Sequence, residues 1–261
     1  MPFWILSRRS FSSEIISKRL LIVFVSTILA VASRPALGQS LPSTVPAVNQ
    51  AKTVAAFCHD WLLLSALYPA ATARDFIVVD IAQERLYLFV SGRLSASWPV
   101  STSLRGIGEI QGSLRTPVGV FRIVRKVGAG QPDDEILRGE VPTHQVARLV
   151  TAPDDPAASA FILGRALVLE GLQPGWNEGG DVDTYNRHIY IHGTANIGML
   201  GRPASEGCVQ MAPQAVVRLF DMVPRGTLVM ITAGKHPREI PGLFAQPPST
   251  VVAGAAGGAS G

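Results

Sequence analysis

A series of short apolar stretches with alternating polarity constrains the fold most, and it begins with "DFIVVDIAQERLYLFVSGRLSASWPVST" (residues 75–102). Ile77, Val79 and Ile81 alternate with other residues, and the same period returns on both sides of the "SGR" turn. In an extended chain, successive side chains point to opposite faces. The stretch therefore predicts a β-meander rather than helices.

The same signal continues through most of the chain. "VFRIVRKV", "VPTHQVARLVTAP", "ALVLEG", "RHIYIHGT" and "TLVMITA" are further strand candidates. "APQAVVRLFDMVPRG" instead predicts one short amphipathic helix that begins near Pro213 and ends before Pro224. The 25 Gly and 19 Pro also favour turns over long helices. We predict a mostly β domain, a curved sheet or sandwich with one or two short helices.

A Gly- and Asp-rich segment, "LQPGWNEGGDVDTYNR" (residues 172–187), separates two of these strand candidates. Loops of this length inside a domain usually serve a function, as a lid or a binding loop. We therefore expect a cleft beneath this loop.

The N-terminus has the pattern of an export signal. Basic residues, among them Arg8, Arg9 and Lys18, precede an apolar run at positions 20–32, which is shorter than the roughly 20 residues that a spanning helix needs. We predict cleavage after Gly38, with Ala32 as the competing site. "SRRSF" also resembles a twin-arginine signal, so the export route stays open.

The predicted organisation has four parts. A signal peptide (1–38) is followed by a linker with a short helix (39–72), the mostly β domain (73–234) and a low-complexity, disordered tail (235–261). The signal peptide holds five Lys/Arg and one acidic residue, whereas the whole chain has 23 basic and 19 acidic residues. The remainder is therefore balanced in charge, which argues against a nucleic-acid partner.

His192 and Cys208 are the candidate catalytic pair. Cysteine becomes a nucleophile when a nearby base or positive field favours its thiolate, and a strand holds an imidazole in a fixed orientation. His192 ends a predicted strand, and Cys208 follows a Ser-Glu-Gly turn. The alternatives are a core thiol beside an incidental histidine, and a disulfide between Cys58 and Cys208 in an exported chain. The sequence has no CxxC, HExxH or EF-hand motif.

Several motifs, in order, carry a resemblance to a known family. They are "IVVDIAQERLYLF" with "WPVST", then "RTPVGVFRI", then "VDTYNRHIYIHGT" followed by "GRPASEGCVQM". From about Phe76 to Thr232 the chain resembles the YkuD-type L,D-transpeptidase catalytic domain, whose base His stands sixteen positions before its Cys, as His192 and Cys208 do here.

The resemblance implies a role for each matching residue. Cys208 is the implied nucleophile and His192 the implied base; Gly193 would orient the imidazole, and Ser205 and Gly207 would shape the turn and the oxyanion hole. The implied partners are peptidoglycan stem peptides and a wall-linked lipoprotein in the periplasm, with no metal or cofactor. Transfer to water would instead make the protein an L,D-carboxypeptidase.

Two positions depart from the family pattern. Glu206 stands where the family usually has His, and Gln210 where it usually has Arg or Asn. A carboxylate beside the thiol would raise the thiol pKa, unless Glu206 points away toward an amide or Arg202. These departures leave open a catalytically weak peptidoglycan-binding module. Candidates for the substrate groove are Glu206 and Gln210 themselves, together with Thr116, His188, Tyr190, Arg165, Arg187 and Trp176. The alternatives are a packed strand face for His188 and Tyr190, surface exposure for the arginines, and loop anchoring for Trp176.

Overall fold

Ten strands and one α-helix make up the part of the chain that the computed structural model describes, residues 75–153 and 161–233. The strands are β1 (Phe76–Asp80), β2 (Arg85–Val90), β3 (Arg93–Pro99), β4 (Gly119–Val127), β5 (Glu135–Arg138), β6 (Val141–Val146), β7 (Ile162–Gly171), β8 (Tyr190–Gly193), β9 (Val209–Met211) and β10 (Leu228–Thr232). The helix, α1, is Pro213–Met222. Short 3-10 turns lie at Gly180–Val182 and Ile197–Met199.

The predicted meander forms the first three strands. β1 pairs antiparallel with β2, and β2 pairs antiparallel with β3. All five residues of β1 are buried, and the rings of Phe76 and Phe89 stack across the β1–β2 pair with centroids 4.5 Å apart. Because β1 also pairs with β10 on its other side, this strand lies in the interior of the sheet rather than at an edge.

The strands join into one mixed sheet in the order β3-β2-β1-β10-β4-β7-β5-β6, with β8 between β7 and β9 on a branch. The β1–β10 and β8–β9 pairs are parallel, and the others are antiparallel. β7 is the longest strand and pairs with β4, β5 and β8. β7 therefore connects the main sheet to the branch that holds the two candidate catalytic residues.

Helix α1 begins with Pro213 at its first turn, where the missing N–H costs no hydrogen bond. Its apolar face, including Val216, Leu219 and Phe220, is buried, and the helix packs against β7 and β8. Burial of this face holds β8, the strand that carries His192, against the helix.

The mostly β prediction is confirmed, and so is the helix after Cys208. The predicted signal peptide, the linker with its short helix (39–72), Cys58 and the C-terminal tail lie outside the described residues. Within the two described ranges, no helix is both long and apolar enough to cross a membrane.

Candidate active site

Parallel pairing of β8 and β9 brings the two candidate catalytic residues together. His192 is in register with Gln210, and Cys208 immediately precedes β9. The Tyr190 amide of β8 donates a hydrogen bond to Cys208 Sγ at 3.4 Å. His192 and Cys208 both line a cavity of about 510 Å³. The fifteen intervening residues are thus a connection that returns the chain to the neighbouring strand.

The His192 imidazole is held in one tautomer. Its ring is buried, with 3% exposed, and Nδ1 lies 2.8 Å from the Gly193 carbonyl oxygen. Because a carbonyl only accepts, Nδ1 carries the proton and Nε2 keeps a lone pair. Burial lowers the pKa of His192 to about 4, against the opposing effect of the Gly193 carbonyl. Above that pH the ring is a neutral base.

The Cys208 thiol is free and partly buried. It donates to the His188 carbonyl oxygen at 3.3 Å and accepts from the Tyr190 amide. Burial raises the pKa of Cys208 to about 11, while the Tyr190 amide and the Arg187 charge lower it and Glu206 raises it. The resting pair is therefore a neutral thiol and a neutral imidazole, not a thiolate–imidazolium pair.

This electrostatic setting predicts the alkylation behaviour of Cys208. Only the thiolate reacts with iodoacetamide, so its fraction falls about tenfold for each pH unit below the pKa. With a pKa of about 11, we expect the alkylation rate of Cys208 to keep rising from pH 7 to pH 10. Peptide-resolved mass spectrometry measures this rate separately from that of Cys58. A plateau near pH 7 would contradict the neutral resting thiol.

Side-chain hydrogen bonds fix the turn at residues 205–208. Ser205 Oγ donates to the Cys208 carbonyl at 2.6 Å and accepts from the Gly207 amide at 3.2 Å. Thr116 Oγ1 donates to the Gly207 carbonyl at 3.0 Å. The Gly207 amide is thus engaged with Ser205, which leaves the Cys208 amide as the candidate oxyanion donor at this turn.

Gly207 is required at this turn by its backbone. Its φ is +122°, and an added Cβ would lie 3.2 Å from both the Arg115 carbonyl oxygen and Ile189 Cδ1. We expect Gly207→Ala to lower the free energy of unfolding by roughly 2–3 kcal/mol, because backbone strain and crowding add. Gly201→Ala is the matched control: its φ is +89°, but a Cβ there meets no atom within 4 Å. Chemical denaturation should show a smaller loss for Gly201→Ala, and equal losses would contradict the crowding argument.

The cavity wall includes residues that the sequence singled out and others that it did not. Tyr190, Glu206 and Gln210 line it, as predicted for the groove. His188 also lines it, and its Nδ1 lies 3.1 Å from the Tyr190 hydroxyl. The remaining lining residues, Gly139, Glu140 and Ile162, come from the β5–β6 turn and the start of β7. No group of three or more His, Cys, Asp or Glu suited to a metal ion occurs in residues 75–153 and 161–233.

The long loop does not cover the cavity, so that expectation was wrong. Residues 172–187 are absent from its lining, and the β5–β6 turn borders it instead. The loop packs against the start of β4, where Trp176 Nε1 donates to the Val118 carbonyl at 3.0 Å and Asn177 Nδ2 to the Val120 carbonyl at 3.2 Å. Trp176 therefore anchors the loop. These hydrogen bonds satisfy the backbone of β4 where its ladder begins.

The two candidate arginines lie in different surroundings, and neither lines the cavity. Arg165 is buried and donates to the Gln131 and Gly164 carbonyls, at 2.8 and 2.9 Å. Arg187 is not a surface residue either: its side chain is 4% exposed. Thr116 is buried behind the catalytic turn and acts on Gly207 rather than in the cavity.

Sequence reasoning missed Glu109, which lies in the glycine-rich segment "GIGEIQG" (residues 106–112). Its carboxylate accepts from the Val118 amide at 3.0 Å, and its Oε2 lies 3.9 Å from Arg187 Nη1. A single acidic residue among glycines gives no local signal of burial. Only the packing of this loop against the start of β4 shows it.

Comparison with known proteins identifies the family to which this chain belongs. The model of the L,D-transpeptidase catalytic domain, YkuD, matches residues 74–231. A YkuD protein of Bacillus licheniformis is 39% identical over 70 residues, which cover 25% of this chain and 41% of that protein. A YkuD protein of Bacillus subtilis is 38% identical over 60 residues, 21% of this chain and 37% of that protein. The chain thus matches less than half the length of these curated relatives.

Solved structures that match part of this chain include an L,D-transpeptidase from Mycobacterium smegmatis, at 18% identity and a TM-score of 0.37 over 62% of this chain and 59% of that one. Another is L,D-transpeptidase 3 from Mycobacterium tuberculosis with a faropenem-derived adduct, at 16% identity and a TM-score of 0.39 over 61% of this chain and 60% of that one. The family model covers more than half of the chain, including the whole candidate site. The chain belongs to the YkuD family of L,D-transpeptidase catalytic domains.

Proposed function

We propose that this protein is an exported cysteine acyltransferase that cleaves the peptidoglycan stem tetrapeptide before its terminal D-Ala and transfers the acyl group to an amine. The observation that carries the proposal is the shared cavity of Cys208 and His192, in which a backbone hydrogen bond fixes the imidazole with its Nε2 lone pair available. The N-terminal pattern and the family membership support export to the periplasm and a wall substrate.

The first half of the reaction forms a thioester. The Cys208 sulfur attacks the carbonyl at the L-centre of the third stem residue, a diaminopimelate or lysine, while its proton passes to His192 Nε2. The tetrahedral oxyanion takes a hydrogen bond from the Cys208 amide. Its collapse breaks the amide bond, and the departing D-Ala nitrogen takes the proton from the imidazolium. Because both groups rest in their neutral forms, proton transfer accompanies the attack rather than preceding it.

The second half transfers the acyl group. An amine of another stem peptide, or of a lipoprotein lysine, attacks the thioester carbonyl and gives a proton to His192. The thiolate leaves and is reprotonated, which regenerates the resting pair. The product is a 3→3 crosslink or a protein–wall tether. With water as the acceptor, the same steps would release a tripeptide.

One observation favours slow chemistry, and with it a wall-binding module as the second candidate. Glu206 is exposed on the cavity rim and raises the pKa of Cys208, which is already raised by burial. Each of these effects lowers the thiolate fraction at neutral pH. Glu206→Gln is therefore expected to increase Cys208 alkylation at pH 8 by about twofold, since an exposed charge is screened by solvent.

The proposal is tested by incubating the purified protein with disaccharide-tetrapeptide and analysing the products by mass spectrometry. A crosslinked dimer with loss of one D-Ala, together with an acyl adduct on the Cys208 peptide, is the expected result. Tripeptide alone would replace transpeptidation with carboxypeptidase activity. Unchanged tetrapeptide that nevertheless binds the folded protein would favour the wall-binding module.

A further inference from the structure

Glu109 and Arg187 form a buried pair of opposite charges near the turn at residues 205–208, which carries Cys208. Their side chains are 11% and 4% exposed, and Glu109 Oε2 lies 3.9 Å from Arg187 Nη1. Neither of these two atoms has a hydrogen-bond partner within the described residues. At 3.9 Å the two groups attract each other without being held in a close bidentate pair.

Arg187 also reaches the segment that supports the nucleophile. Its Nη2 donates to the Arg115 carbonyl at 2.7 Å, and that oxygen lies 3.2 Å from where a Cβ on Gly207 would be. Arg187 is followed in the chain by His188, whose carbonyl accepts the Cys208 thiol. Arg187 is therefore connected to the Cys208 segment by its guanidinium, through Arg115, and by its backbone, through His188, although it does not line the cavity.

We infer that Arg187 is a positioning residue whose positive charge stabilises the Cys208 thiolate, and that Glu109 sets how strongly this charge acts on the sulfur. A guanidinium paired with a carboxylate presents little net charge, whereas the same guanidinium beside a neutral carboxyl presents a full one. Because these groups are shielded from water, a change in the net charge of the pair acts electrostatically over a longer distance than it would at the surface.

The directions of the pKa shifts agree with this geometry. The Arg187 charge lowers the pKa of Cys208, and the Cys208 and Glu109 charges in turn raise that of Arg187, against its burial. Burial raises the pKa of Glu109 to about 7, while the Val118 amide and Arg187 lower it. The Glu109 charge thus changes near neutral pH. The other ionisable groups that line the cavity with Cys208 are Glu140, His188, Tyr190, His192 and Glu206. Arg105 and Arg115 line a second cavity together with Glu109.

The inference rests on the proposed function, in which Cys208 is the reactive thiol. Its test measures the reactivity of this thiol directly and needs no wall substrate. The rate of Cys208 alkylation by iodoacetamide is measured from pH 6 to pH 11 by peptide-resolved mass spectrometry in four variants: Arg187→Met, Arg187→Lys, Glu109→Gln and the Glu109→Gln/Arg187→Met pair. Arg218→Met is the matched control, because it removes one positive charge from an exposed position of α1. Circular dichroism checks the fold of each variant.

At pH 8 we expect Arg187→Met to slow alkylation about tenfold, which corresponds to roughly one pKa unit, and Glu109→Gln to accelerate it about threefold. The double variant should react at the same rate as Arg187→Met alone, because Glu109 acts through Arg187. Arg187→Lys should retain most of the wild-type rate, and Arg218→Met all of it.

If Glu109→Gln slows alkylation, or accelerates it equally without Arg187, the inference is overturned. Should Arg187→Met not fold, Glu109→Gln and Arg187→Lys still decide. Loss of transpeptidation with these rate changes intact would count against the proposed function alone.

Discussion

Replacing Cys208 by Ser is expected to lower the rate of D-Ala release by about 10³-fold or more, because a hydroxyl is a far weaker nucleophile without a stronger base. The fold should persist. A serine oxygen can accept from the Tyr190 amide and donate to the His188 carbonyl, the two hydrogen bonds that the thiol makes. Mass spectrometry of disaccharide-tetrapeptide gives the rate, and thermal unfolding gives the stability.

Cys58→Ser is the matched control for this experiment, since Cys58 is the only other cysteine of the chain. It should leave D-Ala release unchanged. Equal loss in both variants would instead indicate that the two cysteines act together, as in the disulfide considered from the sequence. Full activity of Cys208→Ser would exclude the thioester route.

The parts of this structure that the sequence predicted are those with a local signal. Alternation with a period of two identified the β1–β3 meander, and a period near 3.6 identified α1. The spacing of His192 and Cys208 matches the family signature and predicted a catalytic pair, and the parallel pairing of β8 with β9 brings both residues to one cavity. Each of these features depends on residues close together in the chain or on a motif of fixed length.

The features that the sequence did not predict depend on contacts between distant segments. Glu109 and Arg187 are 78 positions apart, and nothing near either residue indicates that both are buried. The 172–187 loop was expected to cover the cleft because long loops are often lids. Its side chains instead complete hydrogen bonds at the start of β4, and the β5–β6 turn borders the cavity. Loop length alone does not specify which surface a loop covers.

The sequence left open whether the pKa of the Cys208 thiol is raised. It offered Glu206 as the group that would raise this pKa, unless the carboxylate points away. In the structure burial is the largest cause, and Glu206 is the last of those that act. Burial of a thiol at the end of a turn depends on how closely the turn packs on the neighbouring strand, which is a tertiary property.

Replacing His192 by Asn is expected to lower kcat/KM for D-Ala release by about 10²- to 10⁴-fold, the usual contribution of a general base. An Asn amide can still donate to the Gly193 carbonyl, as His192 Nδ1 does, but its amide oxygen is too weakly basic to take the thiol proton. In the wild-type protein, kcat/KM should fall as the pH drops through about 4, where the imidazole becomes charged. The pH–rate profile of His192→Asn should lack this limb. An acid limb near pH 6.5 would show that the free imidazole is not held in the buried, neutral state.

Stability provides a second measurement for the same residue, with a sign that a purely catalytic role would not require. The folded pKa of His192 is lowered from 6.5 to about 4, so between these values the unfolded chain binds a proton that the folded chain does not. Stability from this source is present above pH 6.5 and is lost as the pH falls toward 4, by at most about 3 kcal/mol. Denaturant unfolding at pH 7.5 and pH 4.5 should therefore show a smaller loss for His192→Asn than for the wild type. The carboxyls with raised pKa, such as Glu109, contribute with the opposite sign but are common to both proteins, so the difference between the two isolates His192.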